Sequence, residues 1–239
     1  MSSQPGPAFP LDAAARDVLN EALTDCDLVS CVVAQAARTV VASFYVPGIL
    51  PEGGLLQEAY PLFLVARPTA RIAIRHTRDD QVLPVRPDGI DAVLDQFAVK
   101  YMDDWNIVDP PQENRQRWTG QLSFNARLGG GIGGGIGGGI GGGLDEGDQH
   151  VIELWQDELP RHRLDIGVWF SQLYVLDREF NPVTPVMITA WRHSWSHAAI
   201  ALAGPGKGVS IDVPDGRPAL DLAAVLDRTS AGRPLSAFA

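Results

Sequence analysis

Apolar and polar residues alternate along this chain in short runs, some with a period near two and some with a period near 3.6. The cleanest period-two run sets Trp118, Gly120, Leu122, Phe124, Ala126 and Leu128 against Thr119, Gln121, Ser123, Asn125 and Arg127, the pattern of a half-buried strand. Residues 39–46 (TVVASFYV) are β-branched and aromatic and predict another strand, at the end of an apolar stretch from residue 28 that fits helix or strand equally. Residues 60–66 and 70–76 predict two further strands, the second alternating Ala70, Ile72 and Ile74 with Arg71, Ala73 and Arg75. Residues 150–156 (HVIELWQ) predict a strand, and residues 165–177 (DIGVWFSQLYVLD) one central to a sheet.

Helical spacing is rarer. Asp12 is placed to cap a helix that carries Ala15, Val18, Leu19 and Ala22 on one face, and Asp88 to cap one carrying Ile90, Val93, Leu94, Phe97, Ala98 and Tyr101. A short helix is predicted over residues 218–228, with Pro218 at its first position. The Gly-Pro-Gly-Lys-Gly run at 204–208 predicts a turn between two strands. Few regular βαβ units emerge, so the expected class is α+β: an antiparallel sheet with a few flanking helices. In domain terms the reading is a disordered lead at 1–10, an α+β region at 11–127, a glycine-rich insert at 128–144, and a mainly β region with a short C-terminal helix at 145–239, the last belonging to the same domain.

That insert reads LGGGIGGGIGGGIGGGL. Full burial of its three Ile and two Leu is worth about 10 kcal/mol, whereas fixing its seventeen backbones costs on the order of 17 to 34 kcal/mol. As a helix, its twelve glycines leave it about 12 kcal/mol short of alanine. In an extended chain Leu128, Ile132, Ile136, Ile140 and Leu144 all point to one side, in phase with the strand that precedes them. From Trp118 to Leu144 such a strand would run about 90 Å, far beyond a compact chain of this length with a radius of gyration near ~18 Å. The insert is therefore expected as a loop, as a β arm that pairs with another copy through those five aliphatics, or, given its GxxxG spacing, as a membrane-inserting segment. Charges at Arg127, Asp145, Glu146 and Asp148 close both its ends and make the membrane option the weakest of the three.

The chain has 239 residues and a net charge of −10, which opposes nucleic-acid backbones and anionic lipid alike. The opening residues MSSQPGPAFP lack the basic and apolar stretches of a secretory signal. Cys26 and Cys31 have no second pair to complete a zinc site and are expected as buried, reduced thiols. These features point to a cytoplasmic protein with no nucleic-acid partner and no cofactor.

The best candidate for chemistry is Trp191-Arg-His193-Ser-Trp195-Ser-His197. On a helix the two histidines share a face and can grip one metal ion, although Ser194 stands where a zinc protease carries its glutamate. On a strand they lie about 13 Å apart and cannot. Thr184, Pro185 and Gly204 offer helix ends, while aromatic rings at every second position favour a strand, and the balance tips to strand. The run at 204–210 is not a phosphate loop, because Gly208 follows Lys207. Ser171, Ser194 and Ser196 lack flanking glycines of a nucleophile elbow. Three function classes follow. The first is a noncatalytic protein-interaction or self-association domain, the second a metal-dependent hydrolase using His193 and His197 with a remote carboxylate such as Asp165 or Asp212, and the third a membrane-active protein that inserts the glycine repeat.

Overall fold

In a computed structural model, residues 6–96, 118–119, 150–158, 162–205 and 207–230 are described. The glycine-rich insert, with Leu128, Ile132, Ile136, Ile140 and Leu144, lies outside them, as does most of the alternating run before it.

The chain is α+β, as its pattern predicts. Helix α1 (Ala13–Ala22) opens it, followed by strands β1 (Thr24–Ala34), β2 (Thr39–Val46), β3 (Tyr60–Arg78) and β4 (Gln81–Leu83), then a 3-10 turn and a short helix α2 (Ile90–Leu94). After these come β5 (Trp118–Thr119), β6 (His150–Glu158), β7 (His162–Leu176), α3 (Pro185–Ala203) and α4 (Leu222–Thr229). Every strand pairing is antiparallel, in the order β5-β1-β2-β3-β7-β6, with β4 on β3. The two ends of that order, β5 and β6, approach within 8 Å Cα to Cα, so the sheet curls round its contents.

Local chemistry accounts for the elements. Asp12 caps α1, its carboxylate accepting the Ala15 N–H at 3.0 Å. The stretch from residue 28 was ambiguous because β1 carries a bulge: Leu28 pairs with Phe44 and Ser30 with Ser43, leaving Val29 over. The inward parity therefore changes from Cys26 and Leu28 to Cys31 and Val33, which blurs a period-two signal. Residues 60–66 and 70–76 are one strand rather than two, running through a cis Arg67-Pro68 peptide just beyond the last β2 partner, Ala66. Asp79 and Asp80, both at positive φ, make the tight two-residue turn into β4.

Four expectations are corrected. Asp88 does not cap a helix: it lies within the 3-10 turn Pro87–Gly89, and α2 is described only over Ile90–Leu94. The glycine at 204 closes a helix instead of a hairpin, since at φ +90° it takes a conformation other residues rarely adopt and its N–H bonds the Ile200 carbonyl. Beyond Leu176 the described chain is accordingly helix and coil, not mainly β. The lead is ordered from Gly6, where Phe9 is buried and donates its N–H to the Leu173 carbonyl at 2.7 Å.

Inside the curl, α1, α2 and one edge of α3 pack with Phe44, Leu62, Leu64, Ile166 and Phe170 into the main core. A second, smaller core of Val41, Phe63, Val65, Tyr174, Leu176 and Val225 lies on the opposite face under α4. Strands β2, the first half of β3 and the last part of β7 are thus buried on both faces, which is why residues 39–46 read as continuously apolar. The remainder of β3 and β7 has only its inner face covered. Along that face Ile72, Ile74, Leu164 and Ile166 give way at the far end to His76 and His162.

Candidate functional site

The helix that carries the histidine motif settles the sequence ambiguity against the strand preferred above. Thr184 accepts the Met187 N–H, Pro185 fills a first-turn position and Gly204 ends the helix, so all three end signals operate together. A Trp pair and a His pair, each four apart and offset by two, share one face of a strand. On a helix the offset of two is a rotation of about 200° and sends the pairs to opposite sides. Trp191 and Trp195 turn inward: Trp191 meets Tyr60 edge-on at 5.9 Å and the Trp195 indole N–H donates to the Leu56 carbonyl at 3.0 Å. His193 and His197 are exposed.

Around those histidines runs an unusually uncharged surface. Val186, Ala190, His193, His197 and Ile200 form one exposed stripe with spacings of four, three, four and three, the seam of a two-helix packing. Val186 and Ile200 are 78% and 55% exposed. The single formal charge on α3, Arg192, points aside to an ion pair with Glu21 at 2.7 Å, which holds that carboxyl below its usual range. An exposed helix normally carries charge on this side.

As ligands the two histidines stand alone. Among the described residues no three His, Cys, Asp or Glu side chains are grouped to hold a metal ion, so neither Asp165 nor Asp212 joins them. Asp165 lies on β7 opposite Arg75, and Asp212 bridges by its backbone to Gln57 and Ala59. No helix among the described residues is long and apolar enough to cross a membrane.

Sequence reasoning missed a second polar cluster. Asp91 of α2 accepts from the Ser30 hydroxyl at 2.9 Å and from the Cys31 N–H at 2.8 Å, taking the place of a neighbouring strand along this part of β1. Arg217 ties the same place together, donating to the Val29 and Asp91 carbonyls. Neither cysteine is in a disulfide, and both are buried. Burial, and then the Asp91 carboxylate, push the Cys31 thiol up to about 12. Stability associated with this thiol is full below its ordinary value near 9 and is lost as pH rises from there towards 12, because only the unfolded chain ionises in that window. Native protein at pH 8 is expected to resist thiol alkylation at Cys31, and to react there once unfolded in urea. Rapid labelling of Cys31 in the folded protein, read by peptide mass, would contradict this assignment.

A third group joins residues 86 positions apart. His76 and His162 meet Nε2 to Nε2 at 2.7 Å across the β3–β7 pairing. His76 is 2% exposed. Burial first, then His162 and Arg78, lower its pKa and favour the neutral ring.

Comparison with protein-family profiles, with curated proteins and with solved structures finds no match.

Proposed function

We propose that the protein is a noncatalytic interaction domain that associates with a second copy of itself through the exposed face of α3. The observation that carries this reading is the uncharged stripe Val186, Ala190, His193, His197 and Ile200 on a chain of net charge −10. Two acidic copies repel over most of their surfaces, and this stripe is a place where they meet without charge. Its spacing also suits a twofold axis. With two helices antiparallel about His193, Val186 faces the partner's Ile200 and small Ala190 faces the partner's larger His197. A single helix pair buries an area at or below about 1,200 Å², the low end for specific complexes. The expected dimer is therefore weak, with a micromolar or higher dissociation constant.

Sedimentation at rising concentration tests this. The average mass should climb towards that of a dimer, and Ile200→Glu should hold it at monomer while leaving the fold unchanged, because Ile200 is exposed in the single chain. Deleting residues 129–143 should leave the dimer intact. A monomer at every concentration overturns self-association, and a dimer lost only on the deletion moves it to the glycine-rich insert. The supporting case for a cytoplasmic setting is that two buried cysteines stay outside any disulfide. Helical placement of His193 and His197 favours one other reading, a metal-dependent hydrolase, and metal-free untagged protein would remove it.

A further inference from the structure

We propose that His76 and His162 form a two-histidine clamp for a borderline divalent transition metal ion, of the class of Zn²⁺, Ni²⁺ and Cu²⁺. The site is built by the sheet. Arg78 pairs with His162 and His76 with Leu164, so the two histidines are diagonal neighbours on one face, two positions apart along the strands. Their Nε2 atoms already point at each other across 2.7 Å. A metal bound tetrahedrally at ~2.0–2.1 Å from each nitrogen needs them about 3.4 Å apart, and side-chain rotation supplies a separation of that size without moving the strands. Both rings must be neutral to ligate. In the empty pair one Nε2 carries a proton and the other accepts it. On binding, the ion takes both Nε2 lone pairs: the ring that donated gives its Nε2 proton to water and takes one from water at Nδ1, so that each neutral ring ends with its single proton on Nδ1.

Imidazole nitrogen selects this class of ion over Ca²⁺ or Mg²⁺, which prefer oxygen. One feature tempers its strength: the exposed Arg78 opposite His162 works against a cation. Water completes the coordination shell, and the site is rooted at the end of the core, directly beside buried Leu164 and Ile166.

The experiment uses the full untagged chain carrying His193→Ala and His197→Ala, which removes the surface pair, and titrates it calorimetrically with Zn²⁺ alone. One ion per chain is expected. His162→Gln, in a partly exposed position, should weaken binding at least tenfold with the circular dichroism spectrum unchanged, His150→Ala should leave it unaltered, and Arg78→Ala should tighten it. As a readout independent of any ligand variant, Zn²⁺ should move the imidazole nitrogen resonances of His76 and His162 together and leave those of His150 in place. Binding unaffected by His162→Gln, no binding at millimolar Zn²⁺, or resonance shifts confined to His150 each overturn the proposal.

Discussion

Phe44→Ala is expected to cost about 3–5 kcal/mol, the range for removing a buried aromatic ring and leaving a cavity. Phe44 has no exposed surface and lies in β2, a strand whose every residue is buried. It packs in the main core within the curl, and the sheet around it is closed in on both sides by α4 and by the helices of that core. A wall tied in this way cannot collapse inwards, so the upper half of that range applies. Urea denaturation of wild type and variant, monitored by tryptophan fluorescence, gives the difference directly. A loss under about 1 kcal/mol would mean that the strand is not held between two packed layers.

Asp91→Ala is the second large effect, about 2–4 kcal/mol. The carboxylate satisfies the buried Ser30 hydroxyl and the Cys31 N–H, and its removal leaves both without that acceptor. A buried group stripped of its partner loses roughly 1–3 kcal/mol, and bonds to a charged acceptor lie high in that range. Asp91→Asn keeps an oxygen that can accept from Cys31 and should recover much of the loss. Because the negative charge also raises the Cys31 thiol, Asp91→Asn should make that thiol easier to ionise, a change that a purely packing role would not produce. Equal stability of wild type and Asp91→Ala by thermal unfolding would refute the role given to this carboxylate.

Much of the architecture is legible in the sequence where one local signal dominates. Asp12 marks the start of α1, the β-branched run marks β2, and the aromatic run at 165–177 falls within β7 and the turn that follows it. Legibility fails where a signal has two readings or depends on distant partners. Trp191, His193, Trp195 and His197 alternate for either geometry, and only the ends of α3 decide between them. The bulge at Val29 breaks the parity that pattern reading relies on, and Pro68 divides what the sheet joins. The face that carries His193 and His197 could be anticipated as a pair but not as an uncharged stripe, because that requires knowing that Trp191 and Trp195 turn inward. His76 and His162 carried no sequence signal: 86 residues separate them, and strand register alone makes them neighbours.

The unequal cover along β3 sets the order in which the molecule breathes. Its first half is shielded on both sides, while from Arg71 onwards one side faces solvent. Amides near Leu64 and Val175 are then the slowest to exchange with deuterated water, and those near Thr77 and Arg163 the quickest among the paired strands. An ion held by the two imidazoles would staple the looser end, so metal loading should slow exchange there first and leave the doubly shielded half almost untouched.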